Sequence, residues 1–268
     1  MYPFFTFGSI TVPSYGVMMM LGVLVASTIG LLRVRRAGLV VENAIIILAC
    51  AFGFALLGAT GLYIAVSYSW SELMEMLRDG TLFTENRLGL VFYGGLLAAI
   101  PGAFVGQRIA GARLRDYLPA MLPCIPLGHA VGRIGCLLGG CCYGRPTNLP
   151  IGVVYNNPIS DAPQGIALFP VQALESLILL AIFVVLILYT RAERPPRRIV
   201  GLYFMLYAVC RMCMEYLRYD AVRGHIGFWS TSQWISAFLF LLGAFLWMHR
   251  ARADAGERRQ ANGADRAA

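Results

Sequence analysis

The sequence predicts an all-α integral membrane protein of about seven transmembrane helices with a polar, arginine-lined cavity. Three observations lead there. Hydrophobic residues make up 58% of the 268 positions and charged residues 13%, with a mean hydropathy of +0.66, more apolar than a water-soluble domain of this size needs to fill its core. Several apolar stretches reach the roughly 20 residues that a helix needs to cross hydrocarbon, and their Leu, Ala, Gly and Met content suits helices better than alternating membrane strands. The basic residues fall in short clusters between these stretches. In a soluble protein a net charge of +8 would suggest nucleic acid; placed between apolar segments it reads as topology, and no nucleic-acid partner is expected.

The segments follow in order. The first runs from about Tyr15 to Leu32 and stops at Arg33, Arg35 and Arg36; the second spans about Asn43 to Val66. The third covers about Leu90 to Gln107, before Arg108, Arg113 and Arg115. The fourth, about Leu118 to Leu138, carries Pro119, Pro123 and Pro126, so neighbouring helices or a polar cavity must satisfy the freed carbonyls. The fifth covers about Val171 to Tyr189, before Arg191, Arg194, Arg197 and Arg198. The sixth runs from about Ile199 to Leu217 and the seventh from about Ser232 to Met248. Between segments two and three, Trp70, Glu72, Glu75 and Met76 form a helix-like pattern that suits either an interfacial gate or a covering loop.

Seven crossings put the two ends on opposite sides. With the N-terminus outside, 15 of the 22 basic residues face the cytoplasm, and the positive-inside rule fixes that orientation in a bacterial inner membrane. No basic residue precedes the first apolar helix, so a cleaved signal peptide is not expected. Residues 1–250 read as one polytopic membrane domain with a small extracytoplasmic cap at about 145–169, and residues 251–268 as a disordered cytoplasmic tail.

Charges at bilayer depth mark the candidate site, because each costs several kcal/mol unless paired or wetted. Arg211, Glu215 and Arg218 are four and seven residues apart, a spacing that projects them toward one helical face. The cluster reads either as an ion network that fastens the bundle, with snorkelling to headgroups, or as a phosphate site. Arg133 lies among Gly132, Gly135, Gly139, Gly140 and Gly144. Those glycines permit close helix packing, or close ligand approach beside a guanidinium that would make an anion site.

These residues also carry a resemblance. Tyr15-Gly16, Tyr93-Gly94-Gly95-Leu96, Gly132-Arg133-Ile134-Gly135 closing at Tyr143-Gly144-Arg145, Phe169-Pro170-Val171-Gln172, and Arg211 with Glu215 and Arg218 occur in the order seen in bacterial prolipoprotein diacylglyceryl transferases. The chain resembles that family over most of its membrane region. It departs where the family has a histidine before Gly-Gly (Tyr93 here), asparagines and a glutamate after the signature (Cys136, Gly139 and Cys141), a histidine before the proline of segment five (Phe169), and an arginine in segment two (Ala59).

The resemblance implies transfer of the diacylglyceryl group of phosphatidylglycerol onto the lipobox cysteine of a prolipoprotein signal peptide. A substrate thiolate would attack the glycerol carbon bearing the phosphate, forming a thioether and releasing glycerol phosphate. That step needs fixed positive charge at the departing phosphate and no cofactor or metal. Arg133 and Arg211 are implied as the clamp and Tyr93 as a catalytic hydroxyl, although an unperturbed phenol, titrating at about 10, is a poor base. Arg145 and Arg218 would hold the outer phosphate or the peptide, with Tyr15, Gln172, Glu175 and Glu215 completing the lipid and substrate contacts. Glu215 is either the base or the partner of Arg211 or Arg218. Two other readings remain open: a related transferase with another small acceptor, and a phospholipid-binding or transport protein without the chemistry. Seven unequal helices without paired broken repeats favour an enzyme.

Of the seven cysteines, Cys210 and Cys213 lack the second cysteine pair that a structural zinc site needs, so no metal is expected. Cys136, Cys141 and Cys142 fit small apolar packing best, with a disulfide or a reactive thiol as the other options.

Overall fold

The computed structural model describes residues 2–8, 10–81, 89, 91–219 and 225–249; the proposed tail at 251–268 lies outside them, as do positions 82–88 of the segment after the second span. A short antiparallel hairpin, β1 (Phe4–Phe7) with β2 (Ile10–Pro13), leads into α1 (Ser14–Arg36). There follow α2 (Val41–Ser67), α3 (Trp70–Arg78), α4 (Phe92–Ile109), α5 (Leu114–Met121) and α6 (Cys124–Gly139). The two-residue strands β3 (Val153–Val154) and β4 (Ala167–Leu168) pair before α7 (Val171–Tyr189) and α8 (Pro196–Leu217). The hairpin β5 (His225–Ile226) and β6 (Trp229–Ser230) precedes α9 (Thr231–Met248).

Five of these helices, α1, α2, α7, α8 and α9, are long and apolar enough to cross a membrane, and the broken pair α5–α6 makes six if taken as one span. The chain is thus an all-α, multi-pass membrane protein. Leu57, Leu97, Leu177 and Leu241 are exposed; in water such a surface would be an aggregation hazard, whereas in a bilayer it is the lipid face. The expected third span is α4, and it is not among those that pass: its glycines and the Gln107-Arg108 end dilute its apolar content. The fourth expected span is interrupted. Helix α5 ends at Met121 and α6 begins at Cys124, so the break falls at Leu122-Pro123.

The chain forms two compact units, one comprising residues up to Ala26 and from Leu122 onward, the other Ser27–Met121. In the second unit α2 and α4 meet through glycine. A Cβ on Gly58 or Gly94 would run into the other's carbonyl, and one on Gly106 would come within 2.7 Å of the Ile47 Cα, so the backbones approach as only small residues allow. Val34, Ala44, Ile47, Tyr117 and Ala120 form its buried cluster. Arg33 donates from Nε to the Ala120 carbonyl (2.8 Å) and from Nη2 to the Pro119 carbonyl (3.0 Å), satisfying carbonyls at the end of the proline-containing α5. Helix α3 starts at a capping box: Ser69 Oγ accepts from the Glu72 N–H and Glu72 Oε2 accepts from the Ser69 N–H.

In the first unit the opening turns of α1 lie against α6. A Cβ on Gly22 would come within 2.6 Å of the Gly128 carbonyl oxygen, one on Gly132 within 2.9 Å of Met19 Sδ, and one on Gly135 within 2.9 Å of Met18 Cβ. Gly132 and Gly135, on either side of Arg133, therefore serve helix approach. Helix α7 joins α6 through a buried hydrogen bond from Ser176 Oγ to the Ala130 carbonyl, 2.9 Å, and α8 meets α9 where Gly201 faces Gly243.

Candidate active site

Two ion pairs occupy the interior of the first unit. Arg133 on α6 holds Glu175 on α7 through Nη2 to Oε1 at 3.0 Å, with side chains 13% and 1% exposed. That exposure matters, because a charge this dry persists only when paired. Arg133 Nε is also buried and has no hydrogen-bond partner among the described residues, as is the case for Gln172 Oε1. Arg133 Nη1 rests 4.0 Å from Cys136 Sγ, and the unsatisfied Nε leaves donor capacity for an anionic guest. On α8, Arg211 Nη2 reaches Glu215 Oε2 at 2.8 Å and donates to Ser232 Oγ on α9 at 2.9 Å. The four-residue spacing predicts the Arg211–Glu215 pair; Ser232 was not among the expected residues, and only its place inside the Ser230–Gln233 capping box marks it in the sequence.

Arg218 corrects the expectation of a single helical face carrying Arg211, Glu215 and Arg218. Helix α8 ends at Leu217, and Arg218, buried and extended, pairs its backbone with Gly144. The 143–145 segment takes up three long-range contacts here. Arg145 N–H donates to the Leu217 carbonyl at 3.1 Å, Tyr219 N–H to the Tyr143 carbonyl at 3.2 Å, and Phe169 N–H to the Arg145 carbonyl at 2.8 Å. A Cβ at Gly144 would collide with the Phe169 carbonyl, so no larger residue fits this junction. The side chain of Arg145 is exposed.

Gln172, 1% exposed, donates through Nε2 to the Cys141 carbonyl at 2.8 Å. That bond holds the turn that ends α6. The Cys141 and Gly140 N–H groups both return to the Cys136 carbonyl, with Gly140 at φ 78°, a left-handed helix terminus of the Schellman kind. The 145–169 segment closes over this terminus: Tyr155 OH donates to the Leu137 carbonyl (3.1 Å) and Ser160 Oγ to the Gly140 carbonyl (3.1 Å), satisfying carbonyls that a helix end leaves orphaned. Burial pushes the Tyr155 phenol up to about 12, so it remains a donor.

Cys136, Cys141 and Cys142 place their sulfurs within 4.8 Å of one another, all as free thiols. Cys142 has φ 58°, the one positive value for a non-glycine among the described residues. Hydrogen bonds from the Cys136 and Cys141 thiols, helped by the Arg218 and Arg133 charges, hold the Cys142 thiol well below its usual range.

Tyr15, at the start of α1, is 45% exposed, and its Cβ faces Gly139. The structure thus gathers Tyr15, Arg133, Arg145, Gln172, Glu175, Arg211, Glu215 and Arg218 in the first unit. Tyr93, 45% exposed in the first turn of α4, belongs to the second. So does Ala59, whose carbonyl accepts from Val91 N–H at 3.1 Å. A cavity of about 590 Å³ also belongs to the second unit, lined by Phe104, Gln107, Arg113, Leu114, Arg115 and Leu118, and no expected site residue lines it.

Residues 3–249 match the family described as prolipoprotein diacylglyceryl transferase. Proteins named phosphatidylglycerol-prolipoprotein diacylglyceryl transferase are similar to the chain: that of Clostridium tetani is 32% identical, covering 87% of this chain and 90% of its own. That of Legionella pneumophila is 31% identical, covering 91% and 94%. A second enzyme of this name from Clostridium perfringens is 30% identical with the same coverage. With the match running from the first hairpin through the last helix, the chain belongs to the prolipoprotein diacylglyceryl transferase family.

Proposed function

We infer that this protein transfers the diacylglyceryl group of phosphatidylglycerol to the lipobox cysteine thiol of a prolipoprotein, in a bacterial inner membrane. Buried Arg133, paired with Glu175 yet with its Nε unsatisfied, is the observation that carries this reading: a phosphate oxygen would complete the fork. The reaction forms a carbon–sulfur bond at the glycerol carbon and breaks that carbon's bond to the phosphate oxygen. Glycerol phosphate leaves with the electron pair, and the thiol proton passes to the leaving phosphate or to water. Arg133 and Arg211 stabilise the charge that grows on the phosphate, where fixed donors act without reorganisation. Arg145 and Arg218 hold the outer phosphate or peptide. Tyr15, Gln172, Glu175 and Glu215 shape the lipid contacts, and the Tyr93 hydroxyl orients the thiol or phosphate.

In the same reading α4 also crosses and brings the spans to seven, the arginines line a polar cavity, residues 1–250 act as one membrane domain, and 145–169 is its extracytoplasmic cap. Arginine clustering supports an outer N-terminus and a cytoplasmic C-terminus: a reporter inserted near Asn156 is exported and one fused after Arg252 is not, and an exported C-terminal reporter would overturn the topology. The function is tested by reconstituting purified protein with phosphatidylglycerol and a lipobox peptide. Mass spectrometry should show the peptide gaining a diacylglyceryl group with release of glycerol phosphate. An unmodified peptide with folded enzyme would reject the reading.

A further inference from the structure

The proposed transfer draws on none of the three thiols at the end of α6. Cys136 sits on the last full turn of the helix, and the left-handed terminus at Gly140 turns the chain so that Cys141 and Cys142 come back against it, with all three sulfurs within 4.8 Å. Packing alone does not require this arrangement. A small apolar filler needs neither three sulfurs together nor a cysteine at φ 58°, a conformation that side chains with a Cβ avoid. The scaffold around the cluster is fixed on both sides: Gln172 Nε2 holds the Cys141 carbonyl at 2.8 Å, and Tyr219 holds the Tyr143 carbonyl at 3.2 Å. Arg133 Nη1 lies 4.0 Å from Cys136 Sγ.

We propose that Cys136, Cys141 and Cys142 form a three-thiolate site for a thiophilic divalent cation of the zinc and cadmium class. Metal–sulfur bonds of about 2.3 Å around one ion set sulfur–sulfur separations of roughly 4 Å, so the observed spacing needs to close by less than about 1 Å. Thiolate donors select soft and borderline d10 ions over magnesium or calcium. Three thiolates and a divalent ion leave one net negative charge, and Arg133 Nη1 at 4.0 Å from Cys136 Sγ attracts it. Cys141 and Cys142 are half-buried, which leaves the fourth coordination position to solvent. The assignment stands on the sulfur geometry and does not depend on the transferase reading.

The test uses the full chain in detergent, reduced and stripped with a chelator, then titrated with cadmium. The expected result is one cadmium per chain with a thiolate-to-metal charge-transfer absorbance. Cys142→Gly removes one sulfur while relieving the positive φ, so it should fold; its affinity should fall by more than the roughly 10–100-fold typical of losing an outer-shell partner. Cys213→Ser, at an exposed thiol beyond the cluster, should leave the absorbance intact. No charge-transfer band in the wild type, or a band unchanged in Cys142→Gly and in Cys136→Ser/Cys141→Ser/Cys142→Ser, would overturn the site.

Discussion

The two glycine-lined helix contacts look alike in sequence and differ in what lies beside them. In the second unit, Gly58, Gly94, Gly102 and Gly106 bring α2 and α4 backbone to backbone, and what they meet is backbone and the Cβ atoms of side chains such as Ala98, Leu62 and Phe54. In the first unit, Gly128, Gly132 and Gly135 do the same for α1 and α6, but the opposite side of α6 carries Arg133 toward Glu175. Glycine spacing therefore reports close approach of helices and nothing about chemistry; a buried charge on the same helix is what distinguishes a site from a seam.

The comparison can be broken most forcefully at the ion pair. Glu175→Gln leaves Arg133 as a buried charge without its counter-ion, and stability should fall by about 3–5 kcal/mol, read as thermal unfolding in detergent. Glu175→Gln/Arg133→Met should regain much of that loss while losing turnover. A single mutant as stable as wild type would mean that the pair is wet and the first unit no different from the second.

The glycines give a smaller effect and an internal control. Gly94→Ala drives its Cβ into the Gly58 carbonyl and within 2.6 Å of Leu62 Cβ, an overpacking expected to cost about 1–3 kcal/mol. Gly139→Ala meets only Tyr15 Cβ at 3.8 Å, an ordinary contact, and should be neutral or stabilising by up to about 1 kcal/mol because Ala is the better helix former. Equal unfolding midpoints for the two variants would remove the distinction between tight and loose glycines.

Five spans were legible because their borders are chemical: the fifth segment, between Pro170 and the arginines from Arg191, coincides with α7 from Val171 to Tyr189. The fourth was legible only as irregular. Pro119 and Pro126 sit inside helices, and the break falls at Leu122-Pro123, a choice made by packing that three prolines in a row of segments do not announce. Arg211–Glu215 is a local pair and follows from spacing. Arg133 stood out as a charge at bilayer depth, whereas Glu175, 42 positions away, came to attention only through the family resemblance. Arg218 was misplaced because the end of α8 is set by its long-range bridge to Gly144, and no helical periodicity encodes such a partner.

Tyr93 offers the finest test of the division of labour, since it is the one proposed catalytic residue in the second unit. Tyr93→Phe keeps the ring and removes the hydroxyl. Turnover on the lipobox peptide should drop by about 10-fold or more, the scale of a positioned donor, with lipid binding retained. Unchanged turnover would confine the chemistry to the first unit.

The most direct measurement is turnover by folded Arg133→Lys protein reconstituted with phosphatidylglycerol and a lipobox peptide. Lysine keeps the charge facing Glu175 but loses the planar five-donor fork, so turnover should fall at least about 10-fold, or about 1.4 kcal/mol of transition-state stabilisation, with little change in the unfolding midpoint. Near-normal turnover by the folded variant would contradict the proposal that the Arg133 guanidinium grips the departing phosphate.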